Sequence, residues 1–260
     1  MYLGTNEVQK IYLGSTQVYG RQWTPADITT MAWYDAADAS TITLNGATVS
    51  QWDDKSGNEL HLVQPVATSQ PLYEPTGYNG LPTLTFDGVD DFFNNNNVAL
   101  ALGAGDFTMF FVCRTLSNNR TQMTAVRGSA SSRMYLRSSG GSIAIIWGNE
   151  FRTQKFNVGG NQNHLLEWSM ANGGGTVQTY TDGVLQSTDT VTMASLTSFT
   201  LHGYLNGGDC ANGRSCELVI VSSILSITNR QKMEGYLAHK WNLAGNLPVD
   251  HPYKNAAPTI

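Results

Sequence analysis

Between Phe107 and Val112 the chain sets Phe107, Met109, Phe110, Phe111 and Val112 almost in succession. A run this apolar cannot leave either face of a strand in water, so it predicts a central strand buried on both faces. Around it, from Met31 onward, short apolar stretches alternate with turn signals at the spacing of a sandwich. The expected strands are Met31 to Tyr34, Val49 to Trp52, Leu60 to Gln64, Thr83 to Phe86, Phe107 to Thr115 and Met123 to Val126. They continue with Met134 to Arg137, Ser142 to Trp147, His164 to Met170, Val177 to Thr181, Phe199 to Gly203 and Cys216 to Val221. Together they predict an all-β fold, an antiparallel two-sheet sandwich. The clearest hairpin joins Val177 to Thr181 with Val184 to Gln186 through Asp182-Gly183, which fills the two positive-φ positions of a type I′ turn.

One C-terminal helix is expected. Thr228 with Gln231 three residues later forms a capping-box pattern, and Met233, Tyr236, Leu237 and Trp241 share one face at helical spacing. The helix should pack across the sandwich. Residues 242–260 carry Pro248, Pro252 and Pro258 and no apolar period, which predicts an extended tail. At the other end, Tyr2-Leu3-Gly4-Thr5-Asn6 is echoed by Tyr12-Leu13-Gly14-Ser15-Thr16. Alternation in Lys10 to Leu13 and Gln17 to Tyr19, with Gly14-Ser15 between, predicts an N-terminal β-hairpin within residues 1–20. A lone hairpin is marginal in water, so this one should rest on the sandwich or on a partner protein. Residues 21–30, with Pro25, read as a connector, leaving 31–260 as the sandwich with its helix and tail.

Only 13% of the 260 residues are charged, against roughly 25% in an average soluble domain. Asn, Gln, Ser and Thr take their place, which suits the outer faces and turns of strands. Net charge is −5, and the Lys and Arg residues form no run that could track a phosphate backbone, so nucleic acid is not an expected ligand. No apolar run reaches the roughly 18 residues of a membrane span, and the start MYLGTNEVQK lacks the plan of a signal peptide. Membrane insertion and general secretion are therefore not expected. Cys113, Cys210 and Cys216 are too few for a disulfide framework, although Cys210 and Cys216 bracket a loop that a disulfide could close.

The stretch Leu84-Thr85-Phe86-Asp87-Gly88-Val89-Asp90-Asp91-Phe92-Phe93 resembles the opening strand and turn of concanavalin A-like, laminin G-like jelly rolls. The similarity continues through Phe107 to Arg114, His164 to Gln186, Leu201-His202-Gly203 and Glu217 to Val221. It implies a jelly roll used for recognition. Trp33 to Asp38, Gln51 to Asn58, Glu234 to Trp241 and Asp250 to Tyr253 look like a set found together in bacteriophage virion proteins and some bacterial surface proteins. Lys10 to Thr16 is similar to leader segments of phage tail and fibre-like proteins. These resemblances imply a non-enzymatic virion structural protein, associated with a tail or fibre and assembled in the host cytoplasm. Its N-terminal hairpin would dock on other virion proteins and its jelly roll would bind host-surface glycan. A homo-oligomer is expected, with a trimer as first guess. A capsid or tail decoration protein and a polysaccharide-degrading enzyme are the alternatives.

Sugar rings stack on exposed aromatics while loop amides bond their hydroxyls. Trp147, Tyr204, Asn206 and Asp209 are the candidate glycan contacts, and Trp23 is a further aromatic outside strand periodicity. The amide-rich stretch Asn94 to Asn97 reads as an adaptable loop. Glucan-cleaving enzymes of this fold class carry paired carboxylates on one strand in a Glu-x-Asp-x-x-Glu pattern, about 5 Å apart. That spacing is absent here, and Glu150, Glu167 and Glu217 stand isolated among apolar strands. Asp87, Asp90 and Asp91 around Gly88 are the candidate ligands of a calcium ion. Asp54-x-Ser56-x-Asn58 has the start of a calcium loop but lacks its bidentate acid, and reads rather as a turn that caps its own backbone. The five histidines lack metal-ligand spacing.

Overall fold

The computed structural model describes residues 2–3, 6–7, 10–13, 16–102, 105–115, 121–127, 133–139, 142–147, 150–158, 161–171, 175–190, 196–203 and 208–260. In chain order the strands begin with β1 (Tyr2–Leu3), β2 (Asn6–Glu7), β3 (Lys10–Leu13), β4 (Thr16–Gly20), β5 (Ala32–Asp35), β6 (Ile42–Asn45) and β7 (Thr48–Trp52). They continue with β8 (Leu62–Val63), β9 (Leu72–Tyr78), β10 (Leu81–Asp87), β11 (Phe93–Asn94), helix α1 (Asn96–Leu102), β12 (Phe107–Thr115), β13 (Thr121–Arg127) and β14 (Arg133–Ser139). The remainder are β15 (Ser142–Trp147), β16 (Glu150–Asn157), β17 (Asn163–Met170), β18 (Thr176–Thr181), β19 (Val184–Thr190), β20 (Leu196–Leu201), β21 (Asn212–Val221) and helix α2 (Ile227–Lys240).

Strand β12 lies at the centre. It pairs antiparallel with β17 on one side and β21 on the other, and Phe107 and Met109 to Val112 are fully buried. The period of two sends its side chains into two different cores. Phe107, Met109, Phe111 and Cys113 join Tyr34, Trp52, Phe86, Phe93, Trp168 and Phe199 in the larger one. Phe110 and Val112 join Trp33, Leu165, Val219 and the helical Met233, Leu237 and Trp241 in the other. A strand apolar on both sides is stable only with such cover on both sides.

Hydrogen bonding runs from β19 through β18, β17 and β12 to β21, which then pairs with β5 along one stretch and with β10 along another, and β10 pairs in turn with β9. A second run passes from β16 through β15, β14, β13, β20, β11, β8 and β7 to β6. The two runs meet where Thr48 of β7 pairs with Leu72 of β9. Strands β5 to β21 thus belong to one connected network, its two runs joined by that single pairing. All-β architecture with a C-terminal helix is what the structure shows. Strand β9 is the element that joins the two runs, and Pro75 and Gly77 disguise it in the sequence. Gly77 is required there, because a Cβ would sit 1.9 Å from Thr83 Oγ1.

Other details depart from expectation. Helix α2 is capped by Ser226, whose hydroxyl accepts from Asn229 N at 3.3 Å, one turn edge earlier than the Thr228 pattern suggests. The polar Asn94 to Asn97 stretch is not a loop for recognition: Asn95 caps α1, accepting from Asn97 N at 2.9 Å, and Val98, Ala99 and Leu102 are buried. Residues 242–260 are no extended tail. Leu243 and Leu247 are buried, and the chain end pairs with the connector through Trp23 N to Pro258 O at 2.9 Å and Ile260 N to Arg21 O at 3.0 Å. Trp23 is accordingly buried, edge-on to Tyr236, and unavailable to a sugar. At the N-terminus β3 pairs with β4 and β1 with β2. Among the described residues no helix is long and apolar enough to cross a membrane.

Helix α2 is held to the strands by a buried acid. Glu217, fully buried on β21, accepts from Trp33 Nε1 at 2.7 Å, Trp241 Nε1 at 2.7 Å and Tyr236 OH at 3.2 Å, and pairs with Lys240 at 2.7 Å. Lys240 also reaches Asp35 at 2.6 Å, Asp35 reaches Lys55 at 2.9 Å, and Lys55 lies 4.4 Å from the Trp33 ring centroid. Burial and then the charge of Asp35 raise the pKa of Glu217 against the pull of Lys240. Replacing Glu217 by Gln would leave Lys240 paired with Asp35 but weaken the charge-assisted bonds from Trp33, Tyr236 and Trp241, costing about 1–3 kcal/mol. The expected outcome is a lower urea midpoint at unchanged m-value, measured by equilibrium unfolding.

Candidate functional site

Register arranges the outer face of β17, β12 and β21 in rows. Glu167 of β17 stands opposite Phe110 of β12 and Tyr180 of β18, one row along from Ser169 with Thr108 and Gln178. Helix α2 covers the apolar middle of this face and stops short of that end. What remains is a cavity of about 160 Å³ lined by Thr108, Glu167, Ser169, Gln178, Tyr180 and Arg230, with Ile224, Leu225 and Ile227 beside them. Ile224 and Ile227 are exposed apolar side chains at this site, where a sugar's apolar face could rest.

Glu167 is 1% exposed, yet its Oε1 has no hydrogen-bond partner. Its Oε2 lies 3.5 Å from Arg230 Nη1, and the same nitrogen donates to Glu234 Oε1 at 2.6 Å. Glu234 Oε2 meets His251 Nε2 at 3.0 Å, and the Arg230 guanidinium sits 4.1 Å over the Tyr180 ring. Burial pushes the Glu167 carboxyl well above the usual range, the neighbouring Glu234 adds to this, and Arg230 opposes it. A neutral carboxylic acid with a free oxygen at a polar cavity can donate a proton at neutral pH. Glu234 belongs to α2, and the fold brings it to Glu167 across 67 positions of sequence. One signal was legible: Glu167 is a lone acid in the otherwise apolar strand Leu165-Leu166-Glu167-Trp168.

Of the four candidate glycan contacts, Asp209 alone has a described side chain. Trp147 ends β15, paired with Glu150 of β16, and its side chain lies outside the described residues, as do Tyr204 and Asn206 altogether. Asp209 is exposed with φ 52° and does not line the Glu167 cavity. Asp87, Asp90 and Asp91 do come together, their ligand atoms all within 4.8 Å of one another. Asp91 Oδ2 accepts from Asp87 N at 3.0 Å, Asp87 Oδ1 from Val89 N at 2.7 Å and Asp90 Oδ2 from Ser69 Oγ at 3.3 Å. Each carboxylate so keeps an oxygen free of protein donors among the described residues, a hard-oxygen set that fits calcium if backbone and water complete the shell. Asp54, by contrast, spends its oxygens on its own turn, accepting from Trp33 N at 2.8 Å, Ser56 N at 2.9 Å, Ser56 Oγ at 2.7 Å and Leu60 N at 3.2 Å. Buried His202 stacks 3.8 Å from Phe86, and burial lowers its pKa to about 3. Cys113, Cys210 and Cys216 are all free and buried.

No family model matches the chain, and no curated protein sequence does. Solved structures do match. A Trypanosoma rangeli sialidase in complex with sialic acid aligns with a TM-score of 0.58 at 16% identity, over 82% of this chain and 33% of that one. An arabinofuranosidase complexed with arabinofuranosyl-alpha-1,2-xylobiose aligns with a TM-score of 0.56 at 14% identity, over 72% and 50%. The shared property is the fold, and the chain spans a third to a half of the length of these structures.

These matches correct two expectations. The non-enzymatic bacteriophage virion protein, with its tail and host-attachment roles, gives way to a fold shared with carbohydrate-acting enzymes. The motifs that suggested a virion have a structural explanation, since Trp33, Tyr236, Lys240 and Trp241 converge on Glu217, and Asp35 and Lys55 join them through Lys240. The non-catalytic expectation rested on a missing carboxylate pattern along one strand. Tertiary packing instead pairs Glu167 with Glu234 from a helix, which no strand spacing can reveal.

Burial and the charges of Asp87 and Asp90 raise the Asp91 carboxyl from 3.8 to about 6. The folded chain then holds a proton that the unfolded chain releases between about pH 4 and 6, so stability falls as pH rises through that window. Asp91→Asn removes the fall, and by thermal melts the variant should match the wild type at pH 4 and exceed it at pH 7. Calcium chloride that raises the wild-type Tm at pH 7 but not the variant's would place the ion on this cluster, and an unchanged wild-type Tm would remove it.

Proposed function

We propose that this chain is a carbohydrate-active protein of the glycoside hydrolase class, with Glu167 as its proton donor. The observation that carries the reading is the buried Glu167 carboxyl, its pKa raised by burial, which lines a polar cavity and has one oxygen without a hydrogen-bond partner. In the reaction the Oε1 proton passes to the bridging oxygen as the bond to the anomeric carbon breaks, and water supplies the hydroxyl that this carbon gains while its remaining proton returns to the Glu167 carboxylate. Glu234 does not line the cavity. It is a positioning residue that acts through Arg230, which it holds in place beside Glu167. Tyr180, under the guanidinium, and Gln178 and Ser169 supply hydroxyl and amide partners for a sugar ring.

Support also comes from the neighbours, whose structures carry sialic acid and an arabinofuranosyl xylobiose. We read the connected strand network as a flattened jelly roll in which β12 and its partners present the site on their outer face. The test is release of reducing sugar from sialylated oligosaccharide and from arabinoxylan. Wild-type release should fall about 10²-fold or more in Glu167→Gln, with Tm unchanged or higher, because the substitution keeps the shape and removes a buried acid. Glu234→Gln should shift the alkaline limb of the pH profile. Wild-type protein that leaves both substrates uncut would overturn the reading.

A further inference from the structure

The outer face has a second uncovered end. There the register sets Arg114 of β12 directly opposite Arg214 of β21, and Asn163 of β17 opposite Arg114 on the other side. Like charges opposite one another on a sheet oppose folding. The described carboxylate that answers them is Glu74, 3.3 Å from Arg214, and it is also engaged by Thr85 Oγ1 at 2.8 Å. The Nε atoms of Arg114 and Arg214 are both buried without a hydrogen-bond partner, as is Oδ1 of Asn163. Among the described residues no acceptor meets these donors, which calls for one from outside them.

Between these side chains lies a cavity of about 230 Å³, lined by Tyr78, Arg114, Asn161, Gln162, Asn163 and Arg214. A shallower groove of about 400 Å³ beside Tyr73, Glu74 and Pro75 shares Arg214 with it. Asn161 holds φ at 62°, a left-handed conformation that Asn tolerates better than most residues. Burial and the charge of Arg214 lower the pKa of Arg114, a sign that the pair carries unbalanced positive charge.

We infer that this cleft binds a sugar bearing a carboxylate, with the acid on the Arg114–Arg214 pair and the hydroxyls on Asn161, Gln162 and Asn163. Guanidinium forks match a planar carboxylate in geometry as well as charge. The amides suit ring hydroxyls, and the Tyr78 ring offers an apolar wall. The inference names a substrate class for the proposed carbohydrate activity and rests on that reading for the sugar, while the anion preference rests on the arginines.

Titration calorimetry with glucuronate, glucose and acetate tests it. Glucuronate should bind the wild type saturably and at least about tenfold more tightly than either glucose or acetate, and weaken by about tenfold or more in Arg114→Gln and in Arg214→Gln. Arg114→Gln relieves a like-charge pair, so its Tm should equal or exceed the wild type's, which separates lost binding from lost folding. Glu167→Gln should keep full glucuronate affinity, so failure of hydrolysis and failure of this site are told apart. Equal affinity for glucose overturns the role of charge, and equal affinity for acetate overturns the sugar. Absence of glucuronate binding, or its persistence in both arginine variants, overturns the site.

Discussion

Glu217 sits in the middle of β21 with no access to water, where an unpaired carboxylate would cost several kcal/mol. It is held there only because two indole N–H groups, a phenol and an ammonium aim at it. Those donors come from β5 and from α2, segments two hundred residues apart in sequence, and each is positioned only when its own element is in place. The acid therefore acts as a registration point. It orients α2 along the outer face, draws β5 against β21 and, through Asp35 and Lys55, ties in the turn that Asp54 caps.

The placement of α2 decides where chemistry is available. The helix covers Phe110, Val112, Leu165 and Val219, the apolar centre of the face, and leaves both ends open. One end holds Glu167 among polar side chains and the other holds two arginines among amides. Both are positions where an ionisable group is buried without full satisfaction, which structural packing alone would not favour. Both lie on one surface, within reach of an extended polymer such as a glycan.

Much of the fold was legible in residues. The Phe107 to Val112 run announces the central strand, Asp182-Gly183 announces its hairpin with φ values of 50° and 79°, and the spacing of Met233, Leu237 and Trp241 announces the helical face. Strand β9 and helix α1 were hidden for local reasons. Pro75 and Gly77 carry breaker signals although β9 is an edge-type strand that tolerates them, and the Asn-rich start of α1 reads as a loop although Asn95 is a cap. The flanking motifs were visible as motifs, but their shared purpose was not, because their common partner, Glu217, lies in a different segment.

Local patterning by itself determined that this chain is all-β, where its central strand lies and which helical face is buried, since alternation and helical period are written along the backbone at short range. Only the tertiary structure decided that the two runs of strands join through β7 and β9, that the chain end returns to the connector, and that Glu167 meets Glu234 while Arg114 faces Arg214. Those outcomes depend on register between strands and on the angle at which α2 crosses them. Register sets which side chains share a row, and a shift of one residue would send Glu167 and both arginines to the opposite face.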